Sequence, residues 1–144
     1  MSRPSPNSLD SYKHFLKIPT RWADNDVYGH VNNSVHYFYF DTVVNEFLVT
    51  QGLLNIEKSE TIGLVVKTNC DYFAPISFPE TVNAGLRVSR LGSSSVTYDV
   101  GLFRNDVTKA SAQGQFTHVY VDRDTRKPVV ITDDMRQALQ ALML

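Results

Sequence analysis

The chain has 144 residues, of which 42% are hydrophobic and 20% charged, with a formal net charge of -1. That length suits one domain that buries a core without metal or disulfide support, and Cys70, the only cysteine, excludes an internal disulfide. Near-neutral charge removes any bulk electrostatic case for a nucleic acid or an anionic membrane, and no apolar run approaches the roughly 20 residues of a membrane span; the expectation is a cytoplasmic protein in a reducing compartment.

Taken in chain order, "MSRPSPNSLDS" carries prolines and serines but no apolar run, so residues 1–12 read as a loose tail and residues 13–144 as a single domain. "HFLKIPTRW" follows as a first strand. From Ser34 to Leu48, aromatic and aliphatic residues cover most of a helical surface, leaving Ser34, Asp41 and Asn45 as a narrow polar stripe, so this helix should be wrapped on most sides and end near Gly52. The period then changes to two. "TIGLVVKTNCDYFA", "TVNAGLRVSRL", "SVTYDVGLF" and "ASAQGQFTHVYV" read as strands separated by turn signals, and "ITDDMRQALQAL" as a short helix capped by Thr132. One strand, one long helix and four further strands predict an α+β domain in which an antiparallel sheet curls around the helix.

Chemistry concentrates just before that helix, in "RWADNDVYGHVNNSVHYFYFDT". A calcium loop starting at Asp24 fails, because position five is Tyr28 and position twelve Val35 where a bidentate glutamate belongs. A transition-metal site from Asp24, Asp26 and His30 lacks a second nearby histidine or cysteine, and His36 falls within the apolar helix, so no metal is expected. Capping explains Asn32, Asn33 and Ser34, but not why Asp26, Gly29 and His30 accompany them. A carboxylate beside a glycine turn and free helix-terminal N–H groups is what metal-free acyl transfer to water requires.

The same stretch resembles the N-terminal signature D-x-D-x-x-G-H-V-N-N of the hotdog-fold acyl-CoA thioesterases of the 4-hydroxybenzoyl-CoA thioesterase type. "VVKTNCDYFAPISFPETV" and "RVSRLGSSSVTYDV" continue the resemblance, which runs roughly from Lys13 to Asp122. It implies a hotdog fold of about five strands, hydrolysis of an acyl-CoA to a carboxylic acid and coenzyme A without a cofactor, and Asp26 as nucleophile or general base. Tyr28, Gly29, His30 and Val31 would supply oxyanion-binding N–H groups. Related acyl-carrier-protein thioesterases give a histidine at the place of His30 a catalytic role; the alternative here is hydrogen bonding that shapes the loop. Asn33 would face the substrate and Tyr37 is a candidate for limiting acyl length. Asp24 is expected as a supporting charge or an exposed loop residue. Lys67 stands near where some relatives carry a catalytic glutamate.

Arg90 with Ser93, Ser94 and Ser95 offers a guanidinium beside small hydroxyl residues, a candidate for coenzyme A phosphates. The resemblance also implies a homodimer or homotetramer joined sheet edge to sheet edge. Rival readings are a non-catalytic acyl-CoA sensor, a thioesterase acting on an acyl-carrier protein, and enoyl-CoA hydratase or dehydratase chemistry, which uses a differently spaced Asp/His pair.

Overall fold

Alternation of inward apolar residues builds one antiparallel sheet in the order β1-β3-β4-β5-β2. The structure, a computed structural model, describes residues 4–144. Its strands are β1 (His14–Pro19), β2 (Thr61–Tyr72), β3 (Thr81–Leu91), β4 (Ser95–Arg104) and β5 (Ala112–Asp122), with helices α1 (Asn33–Thr50) and α2 (Asp133–Gln140). The inner face of β4, Val96, Tyr98, Val100 and Leu102, is fully buried and shares one core with Phe40, Val43, Val44 and Leu48 of α1. Each such aliphatic or aromatic side chain contributes about 1.5–3 kcal/mol by leaving water, so the helix is held mainly by this contact. The expected sheet curled on a central helix is therefore the observed one. Among the described residues no helix is long and apolar enough to cross a membrane.

Both ends of α1 follow the sequence. The Asn32 side chain accepts the Ser34 N–H, and Gly52, at φ +72°, lets the chain leave the helix while Leu53 N–H returns to the Leu48 carbonyl. α1 is less enclosed than expected, since its outward face exposes Phe38 (67%) and Val49 besides Asp41 and Thr42. Among the described residues, only the sheet side of the helix is covered.

The expected loose tail is laid down from Ser5 onward. Gln113 donates to the Ser5 carbonyl, Asn7 N–H donates to the Gln113 side chain, and Leu9 N–H donates to the Thr108 carbonyl. Tyr12 is buried against Phe103 on the outer face of the sheet, where a Cβ on Gly101 would stand 2.6 Å from its ring. Two strand glycines, Gly85 and Gly101, thus form the seat that anchors this segment. Residues 1–3 of the expected tail lie outside the described residues.

Candidate active site

The polar stretch folds as two small turns with different tasks. A 3₁₀ turn, Trp22–Asp24, buries the Asp24 carboxylate, which accepts from the Arg21 backbone N–H, from Arg21 Nε and Nη2, and from the Tyr39 hydroxyl at 2.8 Å. Desolvation pushes this carboxyl up, but the Arg21 N–H and guanidinium and the Tyr39 hydroxyl outweigh it and hold it below the ordinary range. The second turn is closed by Asp26 N–H to the His30 carbonyl (2.8 Å) and Gly29 N–H to the Asp26 carbonyl (3.1 Å). Gly29 sits at φ +83°, a conformation that favours glycine. Asn32 N–H donates to the Asp24 carbonyl and Val31 N–H to the Ile76 carbonyl, so both turns are pinned where α1 begins.

Asp26 is half-buried at the meeting of two hollows. One, of about 410 Å³, is lined by Asp26, His30, Asn33, His36, Tyr72 and Ile76 among others. A wider one, of about 770 Å³, runs past Trp22, Tyr28 and Gly29. Oδ1 of Asp26 accepts the Tyr28 N–H at 2.8 Å, while Oδ2 has no partner among the described residues. The site therefore presents one held and one available carboxylate oxygen.

His36, which the sequence offered only as part of an apolar helix, belongs to this wall. It is buried, with its ring edge-on to Tyr72 at 4.9 Å. Burial pushes its pKa down, partly offset by the backbone of Asn32 and Asn33, so the ring is neutral at pH 7. Nδ1 lies 3.1 Å from the Asn32 carbonyl, which can only accept; Nδ1 therefore carries the proton, and Nε2 keeps a lone pair. The Tyr72 hydroxyl donates to the Asn33 carbonyl, tying β2 to the first residue of α1. Burial first, then Cys70 and Tyr37 nearby, push the Tyr72 phenol upward.

The expected oxyanion donors are corrected by this geometry. The N–H groups of Tyr28, Gly29 and Val31 are all spent inside the chain, on Asp26 Oδ1, the Asp26 carbonyl and the Ile76 carbonyl. Among the described residues the backbone N–H groups of His30 and Asn33 donate to nothing, and both residues line the smaller hollow. Tyr37 packs its ring against Phe40 and lines neither hollow. Lys67 is exposed on β2, next to a bulge, and also lines neither.

Arg90 and Ser93, Ser94 and Ser95 do not join Asp26 in the same chain. β3 starts beside the Asp26 turn, where Thr20 N–H donates to the Glu80 carbonyl, and runs away from it. Arg90 lies nine residues along, roughly 30 Å at strand rise. The Ser93 and Ser94 carbonyls accept from Ile131 and Tyr120, which fixes this hairpin against the segment leading to α2.

Residues 20–139 match the model of the thioesterase-like superfamily, and the chain belongs to that family. It is similar to the PA5185 protein of Pseudomonas aeruginosa strain PAO1, with 51% identity, a TM-score of 0.94 and 97% of each chain covered. It is 27% identical over 129 residues to the uncharacterized protein YsmA of Bacillus subtilis, covering 90% of this chain and 86% of that one. The DHNA-CoA thioesterase of Staphylococcus aureus shares the fold at 21% identity and a TM-score of 0.79, over 88% of this chain and 87% of that one.

Proposed function

We propose that this protein is an acyl-CoA thioesterase, converting an acyl-CoA and water to a carboxylic acid and coenzyme A. The observation that carries the reading is the available Oδ2 of Asp26 on a hollow lined also by His30 and Asn33, whose backbone N–H groups donate to nothing among the described residues. A thioester carbonyl entering there meets a base and two donors at the start of a helix, where the dipole favours developing negative charge. Asp26 either takes the proton of an attacking water or itself adds to the carbonyl, expelling coenzyme A as thiolate and leaving a mixed anhydride that water then opens. The neutral His36, with Nε2 unprotonated, is available to orient that water. Membership of the thioesterase-like superfamily supports the same class. The working form is proposed to be a homo-oligomer joined through the outermost strand β2, whose Val65 and Val66 are exposed.

The test is thiol release from acetyl-, hexanoyl-, palmitoyl- and benzoyl-CoA by the wild type and by Asp26→Asn, with circular dichroism confirming that both are folded. The expected result is a fall of about 10² or more in turnover for the folded variant. Equal turnover by both proteins would move the chemistry away from Asp26, and binding of the thioesters without release would make the protein a sensor.

A further inference from the structure

The wider hollow beside Asp26, of about 770 Å³, is walled by two kinds of side chain that the chemistry at the carboxylate leaves unused. One kind is apolar and open to water. Trp22 is 76% exposed, Val27 94% and Tyr28 84%, and the Trp22 ring stands edge-on to Phe78 at 5.9 Å. A single exposed apolar residue is ordinary, but three large ones around one hollow mark a surface that meets a ligand or a partner.

The other kind is polar, since Asn25 and Asn32 also line this hollow. The Asn25 side-chain oxygen accepts the Phe78 N–H at 3.1 Å, and that of Asn32 accepts the Ser34 N–H at 2.9 Å. A backbone N–H can only donate, which fixes both carboxamides and makes the remaining terminal atom of each an NH2 group. Among the described residues neither Nδ2 has a partner, and neither is shut off from solvent. No lysine or arginine lines the hollow, and Asp26 supplies its one carboxylate.

We propose that this hollow holds the pantetheine arm of the thioester, with Asn25 and Asn32 donating to the two amide carbonyls of the arm and Trp22, Val27 and Tyr28 covering its methylene and dimethyl segments. The assignment rests on the thioesterase reading, which places one end of the arm at Asp26. Because Asp26 lines both hollows, an occupant of the wider one is continuous with a carbonyl at the carboxylate. An uncharged chain that alternates amides with short alkyl segments matches a wall that combines carboxamide donors with apolar side chains, whereas phosphates would find no cation there. That leaves the smaller hollow, past His36 and Tyr72, for the acyl group.

Trp22 is the only tryptophan, so its emission reports on this hollow alone. The test titrates the full chain at pH 7 with pantetheine, coenzyme A and adenosine bisphosphate, following Trp22 fluorescence and, independently, the heat of binding by calorimetry. Pantetheine and coenzyme A should change the emission as they bind, and adenosine bisphosphate should not. Asn25→Asp keeps the acceptor for the Phe78 N–H and removes the donor. Shown by circular dichroism to be folded, this variant should bind pantetheine about tenfold more weakly, the worth of one hydrogen bond. Binding of pantetheine or coenzyme A with the emission unchanged would put the arm elsewhere and overturn the assignment, while thiol release in the assay above decides the thioesterase reading separately. Absence of pantetheine binding, undiminished binding by folded Asn25→Asp, or a response to adenosine bisphosphate as strong as to coenzyme A would each overturn it as well. So would an emission typical of a buried indole that none of the three moves, the signature of a second copy covering this face.

Discussion

Two aspartates two residues apart divide the labour of the opening turn. Asp24 is 1% exposed and satisfied by Arg21 and Tyr39, whereas Asp26 keeps an oxygen available over a hollow. Asp24→Asn should cost about 2 kcal/mol, because it leaves a buried hydroxyl and a guanidinium facing an amide. The pH dependence has a definite sign. Since the folded pKa of Asp24 lies below the unfolded value of about 3.9, its contribution is complete above that unfolded value and disappears as pH falls through the folded one. Thermal unfolding followed from pH 7 to pH 2 should therefore find wild type and Asp24→Asn furthest apart near neutrality and converging at the acid end. A constant gap across the range would assign the cost to packing. Sequence could mark this D-x-D pair as chemically loaded, yet it left Asp24 as either support or exposed loop. The partner that decides, Tyr39, arrives fifteen residues later and is recognisable only once the helix is docked.

At the scale of elements, the boundaries of α1 and α2 were legible because caps are local: Asn32, Gly52 and Thr132 act on backbone groups two to five residues away. Asn32→Ala should destabilise the fold by about 1 kcal/mol, lowering the unfolding temperature by about 4 °C, and Asn32→Ser should recover most of it. If Ala and Asn proved equally stable, the Ser34 N–H would be satisfied by solvent and the cap would carry no weight. What was illegible depends on long-range pairing. Val31 looked like an oxyanion donor until the loop at Ile76 took its N–H, forty-five residues on. The N-terminal segment looked loose because its composition is polar; its anchor is a gap left by Gly85 and Gly101, which single strands conceal. His36 was masked by its apolar neighbours, and only β2, through Tyr72, turns that helix position into a site wall.

For the whole molecule, the distance between Asp26 and the Arg90 hairpin becomes an argument about assembly. Roughly 30 Å of strand separates them in one chain, so if Arg90 and its serines hold the phosphates of a substrate whose thioester lies at Asp26, they must serve the Asp26 of a neighbouring copy. A two-fold interface through β2 would repeat such a shared site twice, because whatever one subunit lends it also receives. Complementation distinguishes this from a surface arginine with no role. Arg90→Ala should raise KM for the acyl-CoA, and Asp26→Asn should abolish turnover, each as a homo-oligomer. When the two variants are unfolded together and refolded as an equal mixture, half of the dimers are mixed, and each mixed dimer has one site with both Asp26 and Arg90 intact. At substrate concentrations where both parents are nearly silent, the mixture should therefore regain about a quarter of the wild-type rate. Recovery no greater than the sum of the diluted parents would confine each site to its own chain, and an Arg90→Ala protein with unchanged KM would return that hairpin to the solvated surface.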